Sequence, residues 1–385
     1  MEPFKNKNIN LLNLHAGLCR FSNNIFDVFG AVYLLSLGIS FPIVALAWAG
    51  SLFLRFILRP FSMLLSEKIG LRRALIIGVI LGSMLFIVLT KINGINNYFY
   101  FYIFYLAICD ITYWLPYHSY YATAGDEQNR GKQICVQFGF VTFLKTMAPF
   151  VGGIMITHFG FWSLYFIASI VMLLSAIPLF FAKDVLPGKI IIWKEAIQSI
   201  DKHGMIMMIG DGILYMHAFV WTIVLFYLVG NYTTFGGLVA FESLSIIVLF
   251  YFLGYFIDKG NGKRVTYIGL ISIGVVILLR AFLVKTIPEI IITDVLIAFG
   301  MTFYLSSFNV GLYNMAKRSS NTLWFHFFGE VGWDIGAMIS LTLSAILFSL
   351  GVPLKFIIVF ALPGLFITYK ILKKFYKQNT LIDLK

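Results

Sequence analysis

The sequence predicts an all-α integral membrane protein, with about twelve transmembrane helices forming two six-helix, pseudo-symmetric bundles. Three observations carry that expectation. Hydrophobic residues make up 60% of the 385 positions and charged residues only 12%, too apolar and too long for one soluble core. The apolar residues gather into segments near the roughly 20 residues that span a bilayer, too long and too continuous for barrel strands. An acid–base turn also occurs twice, at Ser62–Arg73 (SMLLSEKIGLRR) and Gly254–Arg264 (GYFIDKGNGKR), about 190 residues apart. Each copy closes one apolar segment, runs through an acid, a Lys, a Gly and two bases, and opens the next segment. A hydrocarbon core has no use for that order, whereas a turn at the membrane surface has.

Taken in order, the segments of the first half are Leu11–Leu37, Ser40–Leu65, Arg73–Thr90, Tyr98–Ala122, Gln133–His158 and Phe161–Ala182. Those of the second are Gly204–Val229, Gly236–Ile257, Val265–Val284, Pro288–Ala316, Thr322–Leu350 and Val352–Tyr369. The domain expectation is therefore an N-terminal bundle at 1–183, a linker at 184–203 and a C-terminal bundle at 204–385. The first ten residues, MEPFKNKNIN, lack the apolar core and cleavage site of a signal peptide, so the whole chain is expected to be retained. Cys19, Cys109 and Cys135 lie in apolar segments at unrelated spacings, which predicts neither a disulfide framework nor a zinc site.

Orientation follows from the bases. One set of loops holds Lys68, Arg72 and Arg73; Arg130 and Lys132; Lys183, Lys189, Lys194 and Lys202; Lys259, Lys263 and Arg264; and Lys317 and Arg318. Lys5, Lys7, Lys370, Lys373, Lys374 and Lys377 fall on the same side, and the opposite loops offer Lys91 and Lys285. This asymmetry predicts a multi-pass protein of the cell membrane with both termini cytoplasmic. The formal charge of +12 is then an orientation signal that also attracts anionic lipid, and no nucleic-acid partner is needed to explain it.

Twelve spans in two halves, with this turn after the second and eighth, resemble the major facilitator superfamily over nearly the whole chain. The second copy follows the family pattern in Gly254, Asp258, Lys259, Gly262, Lys263 and Arg264, with one extra residue before its last Gly. The first departs more: Met63 stands where Gly is usual, Glu67 replaces Asp, and Leu71 follows Gly70 and separates Lys68 from Arg72 and Arg73. The resemblance implies that Asp258 and Glu67, with the nearby bases, latch the cytoplasmic side when the transporter opens outward. A merely solvated turn is the plainer reading. In the fifth span, Pro149, Gly152 and Gly153 resemble the Pro-x-x-Gly-Gly element of exporters in this superfamily. Physically, Pro149 bends the helix and the glycines admit a close neighbour, with no direction implied. Family exporters often carry an Arg in the fourth span, where this chain has Asp110. The loop Gly125–Gly131 resembles the family's acid-to-Arg loop before the fifth span.

Function must rest on polar residues deep in apolar segments, where an ionised group costs at least roughly 2.5 kcal/mol and faces a cavity or a partner. Arg20, Asn23, Asn24 and Asp27 form one stripe on the first span. The fourth span adds Asp110, Trp114, Tyr117 and Tyr121; the fifth, Lys145; the seventh, Asp211, Tyr215, His217 and Trp221. The tenth offers Asp294, Thr302, Ser306 and Asn309, and the eleventh has His326, Glu330 and Asp334 at intervals of four. Spans one, four, seven and ten line the central cavity in the superfamily, flanked by two, five, eight and eleven. By that resemblance Arg20, Asn24, Asp27, Asp110, Lys145, His217, Glu330 and Asp334 are cavity candidates for substrate or ion. The alternative for each is structural pairing: Lys145 with Asp27 or Asp110, and His326 with Glu330. Arg55 and Arg59 are expected to reach the basic interface, and Glu242 the opposite one.

No metal constellation and no phosphate loop stand in the sequence, so neither a cofactor nor direct use of ATP is expected. The favoured function is a secondary transporter for a small solute, working as a monomer by rocking the halves around a midplane site. At least one of Asp27, Asp110, Glu330 and Asp334 is expected to exchange a proton, Glu330 and Asp334 first because His326 is the cation on their face. The alternative is a membrane-embedded enzyme acting on a lipid or lipid-linked substrate, which short outer loops and widely spread polar groups disfavour. A bundle kept only as receptor or scaffold is a third possibility.

Overall fold

The computed structural model describes residues 6–382 except 126–129, 186–193, 195–196, 198–199, 245–251 and 254. The first half comprises α1 (Lys7–Ser36), α2 (Phe41–Ile69), α3 (Leu71–Leu89), α4 (Asn97–Ala124), α5 (Arg130–Leu174) and α6 (Ile177–Phe181). The second comprises α7 (Lys202–Val229), α8 (Tyr232–Leu244), α9 (Gly262–Phe282), α10 (Ile287–Arg318), α11 (Thr322–Ser349) and α12 (Leu362–Ile382). Two short helical turns, Leu354–Ile357 and Ile358–Ala361, lead into α12. No strand occurs among the described residues.

The helices begin and end where local chemistry directs. Asn6, Asn96, Asp201 and Asn321 each accept a backbone N–H of the following turn, capping α1, α4, α7 and α11. α2 stops and α3 starts on Gly70, whose φ of 90° suits Gly and few other residues. The fifth and sixth predicted spans are the two arms of α5, divided by Gly160 at φ 74°. The chain reverses there. Phe140 and Leu144 on one arm reach Gly17 of α1. On the other, Met172 accepts from the Cys19 thiol at 3.5 Å and the Ser175 carbonyl accepts from His15 Nδ1 at 2.8 Å. Because a carbonyl only accepts, His15 carries its proton on Nδ1, and its Nε2 receives the Tyr113 hydroxyl at 3.2 Å.

Glycines set the closest helix pairs, since an absent Cβ lets backbones approach. A Cβ on Gly212 or Gly336 would stand 2.3 or 2.2 Å from a carbonyl oxygen across the α7–α11 contact. Gly210 and Gly364 do the same for α7 and α12. Between the halves, a Cβ on Gly153 of α5 would meet the Tyr232 carbonyl at 2.3 Å, and one on Gly236 of α8 the Pro149 carbonyl at 2.1 Å. Gly152 faces the Phe29 ring instead. The Pro149–Gly152–Gly153 element thus packs α5 against both α1 and α8.

Bases at the end opposite the acid–base turns are not confined to Lys91 and Lys285. Lys355, overlooked within an apolar stretch, shares a recess of about 350 Å³ with Lys285, Arg280 and Trp221. Gly254 and the side chain of Glu242 lie outside the described residues, as do 126–129 of the acid-to-Arg loop.

Candidate functional site

A cavity of about 450 Å³ lies between the halves. α1, α2, α4 and α5 supply Arg20, Asn24, Asp27, Arg55, Asp110 and Lys145; α7, α10 and α11 supply Asp211, Tyr215, Asn309, Glu330 and Trp333. The stripe read on α1 does face it: Asp27 is exposed to the cavity, and Asn24 donates to the Lys145 carbonyl at 3.0 Å, aligning α1 with α5. Lys145 is exposed there as well. The Arg20 guanidinium lies over the Trp114 ring, 4.1 Å from its centroid. Asp211 is held by two donors, the Tyr304 hydroxyl at 2.5 Å and the Trp333 indole at 2.9 Å.

A buried ionic cluster crosses from one half to the other. Arg55 Nη1 meets Asp110 at 2.9 Å, while Nη2 meets Asp334 at 2.6 Å and Glu330 at 3.4 Å. Arg59 contacts Glu330 at 3.5 Å and bonds to Asp334. Arg55, Arg59, Glu330 and Asp334 are all at most 5% exposed. Arg55 and Arg59 therefore do not reach an interface, contrary to the sequence expectation. Residues 55 and 59 share a face of α2, as 330 and 334 share one of α11, so the two rungs meet directly. The expected pairings change accordingly. Asp110 takes Arg55 in place of Lys145, and Glu330 takes the two arginines in place of His326. His118, which sequence reading passed over, extends the cluster: its Nε2 lies 3.5 Å from Glu330, its Nδ1 2.7 Å from the Tyr313 hydroxyl, and its ring stacks on His326 at 5.6 Å.

His217 does not join the cavity. It is buried with Arg280, at 3.0 Å, and Arg280 bonds to Asp294 while lying 4.3 Å from the Trp221 ring centroid. Arg280 in α9 is the partner of Asp294, one of the polar residues of the tenth span.

The acid–base turns differ in what they touch. Asp258 accepts the backbone N–H of Gly131 at 2.9 Å and of Lys132 at 3.1 Å, capping α5 of the other half. A Cβ on Gly262 would collide with the Tyr376 ring at 2.1 Å, and Lys259 lies over Tyr255 at 4.4 Å. Lys263 and Arg264 are exposed, as is Lys68. In the first copy Asp184, rather than Glu67, receives the turn: it accepts Arg72 N–H at 3.1 Å and stands 3.8 Å from the Arg72 and Arg73 guanidinium groups. Glu67 makes no hydrogen bond or ion pair among the described residues.

Cross-half contacts stand at both ends of the cavity. At the turn-bearing end, Arg130 donates to Asn314 at 3.2 Å and Lys317 to the Gly125 carbonyl at 2.5 Å. At the other end, Phe41 meets Phe348, Trp48 meets Phe219 and Phe29 meets Phe235, with centroids 5.1, 5.6 and 5.7 Å apart. Helical halves that meet around a charged central cavity, with cross-half contacts at either end, are the arrangement of secondary transporters.

The Major Facilitator Superfamily model matches residues 14–340, and the chain belongs to that superfamily. Among solved structures, the chain is similar to FucP, a Major Facilitator Superfamily transporter in the outward conformation. The TM-score is 0.70 at 13% identity, over 95% of this chain and 98% of that one. It is similar also to the human organic anion transporter MFSD10 (TETRAN), with TM-score 0.67 at 10% identity over 95% and 99%. An E. coli fucose:proton symporter structure, a FucP variant, gives 0.67 at 13% over 95% and 98%. No curated protein matches the chain in sequence. At such identities the likeness concerns the fold, and the family places the chain among transporters rather than enzymes.

Proposed function

We propose that this protein is a proton-coupled secondary transporter of a small solute, in which the cross-half cluster holds the exchanging proton. One observation carries the reading. Asp110, Glu330 and Asp334 converge on Arg55 and Arg59, so three carboxylates share two guanidinium groups between two bodies that must rock apart. A proton on one carboxylate balances the charge while both arginines stay paired. Loss of that proton strengthens the clasp, and its return weakens it, which ties the separation of α2 from α11 to proton occupancy. The E. coli relative described as a fucose:proton symporter, sharing the fold, supports such coupling.

The cavity residues Arg20, Asn24, Asp27 and Lys145 meet the solute, and Asp258 holds the turn-bearing end by capping α5. His217, enclosed with Arg280, serves α7–α9–α10 packing instead. The bundles are 1–183 and 204–385, joined by 184–203. The base-rich end faces the cytoplasm with both termini, in the plasma membrane, and the chain works as a monomer. Vesicles with and without the protein, held at a defined proton gradient and compared by unbiased metabolite analysis, test the reading. At least one small solute is expected to accumulate only with protein and gradient together. Equal contents with and without the protein would reject it.

A further inference from the structure

We infer that the recess lined by Lys285 and Lys355, at the end opposite the acid–base turns, seats the phosphate of an anionic phospholipid. The inference goes beyond the transporter reading and does not depend on it.

Three parts of the second half build the recess. The end of α7 supplies Val224 and Leu228, and the short turn Leu354–Ile357 supplies Lys355. The end of α9 and the loop after it supply Arg280, Val284 and Lys285. Two acids stand close to these bases among the described residues, and both are engaged. Asp294 bonds to Arg280, which also donates to His217 at 3.0 Å. A guanidinium only donates, so His217 accepts through an unprotonated Nε2 and carries no charge. Glu289 serves the start of α10, accepting the backbone N–H of Lys285 at 2.6 Å and of Thr286 at 2.9 Å. From there its charge also attracts Lys285. With both acids counted in full against Arg280 and Lys285, Lys355 is left over. Neither lysine ammonium makes an ion pair or hydrogen bond among the described residues, and that of Lys355 lies over the Phe356 ring at 5.1 Å. Two lysines from separate loops thus share one largely apolar recess with a buried arginine. A phosphate between them relieves their repulsion and takes each as a point charge.

The surface beside the recess makes that phosphate a lipid's. α9 exposes Ile271, Val275, Leu278 and Phe282, whose steps of four, three and four form one apolar stripe along the helix. On a membrane-spanning helix such a face lies against acyl chains. The stripe ends at the recess. There the Phe282 ring meets Phe356, with centroids 5.6 Å apart, and Phe356 carries the Lys355 ammonium. Leu228, exposed on α7, continues the apolar rim. A volume of about 350 Å³ holds a phosphoglycerol headgroup and not its chains, which the α9 stripe then receives. Basic pockets between membrane-spanning helices suit anionic headgroups, whereas a free phosphate would use the bases and leave the stripe idle.

The test uses the purified, delipidated full-length protein in detergent, titrated with dioleoyl phosphatidylglycerol, dioleoyl phosphatidylcholine or glycerol 1-phosphate. Native mass spectrometry counts what stays bound. One phosphatidylglycerol is expected to be held at least about tenfold more tightly than phosphatidylcholine, and glycerol 1-phosphate is expected not to displace it. Lys285→Gln/Lys355→Gln is expected to lose that preference, and Lys285→Arg/Lys355→Arg to keep it. Lys373→Gln/Lys374→Gln, at the turn-bearing end, should keep it too, which separates this recess from general attraction to a basic surface. A second measurement needs no variant. In nanodiscs, phosphatidylglycerol with a diazirine on its chain should label residues 271–282 more than the matching phosphatidylcholine does. Equal retention of the two lipids, unchanged retention in the Gln pair, or equal labelling of α9 each overturns the inference. Displacement of the lipid by glycerol 1-phosphate at equal concentration also overturns it, because the seat would then be one for free phosphate.

Discussion

Arg59 shows how the buried charges divide their work. It is fully buried and touches both Glu330 and Asp334, so its removal strands negative charge in an apolar interior. Arg59→Met is expected to destabilise the purified protein by about 3–5 kcal/mol, and Arg59→Met/Asp334→Leu to recover most of that loss. Thermal unfolding of the single and double variants checks this, and a fully additive double mutant would show that the two residues are not coupled. The acids of this cluster were readable in the sequence as buried charges at intervals of four. Their partners were not, because Arg55 and Arg59 stand in a span whose long side chains could equally have snorkelled to an interface. A signal was nonetheless present. Two ladders of opposite sign with the same spacing stand on the second and eleventh spans, two of the four that flank the cavity in this family. His118 left no comparable mark, since Glu330, Tyr313 and His326 stand on helices distant in sequence, and Arg280 lies in an apolar run with no ladder of spacing to join it to Asp294.

At the scale of elements, the two halves meet through α5 and α8 as well as through α2 and α11. The first of these contacts depends on Gly153 and Gly236, where carbonyl oxygens occupy the space a side chain would need. Thr157 and Thr233 mark the same contact with hydroxyls 3.0 Å apart. In a background lacking Cys19, Cys109 and Cys135, Thr157→Cys/Thr233→Cys is expected to form a disulfide readily. Adding Gly236→Val overpacks the contact by about 1–3 kcal/mol and is expected to slow cross-linking roughly tenfold. An unchanged rate would mean that α5 and α8 do not depend on this close approach. The helices themselves were legible in outline from apolar run lengths, and the reversal at Gly160 falls in the gap between the fifth and sixth predicted spans. What Pro149, Gly152 and Gly153 pack against was not legible, because their partners lie on other helices.

For the whole molecule, Asp258 is the residue that ties the turn of one half to a helix end of the other. Asp258→Ala removes a cap worth about 0.5–2 kcal/mol and is expected to shift the population away from the state with the turn-bearing end closed. Spin-label distances between α4 and α10 at that end should lengthen in the variant. Unchanged distances would remove the latch role. Duplication of the turn announced the two-half architecture, yet among the described residues it is the acid of the second copy that bonds across the halves. In the first, Asp184 takes the turn that Glu67 was expected to hold.

Flux in proteoliposomes under an imposed proton gradient tests the central claim most directly, comparing wild type with Glu330→Gln and Asp334→Asn. Wild-type protein should accumulate its solute against a gradient when protons flow inward or outward in the coupled sense. At least one of the two variants should lose that accumulation while still exchanging solute across vesicles without a gradient. Accumulation by wild type that does not respond to the proton gradient would contradict proton coupling through the Arg55–Arg59 cluster.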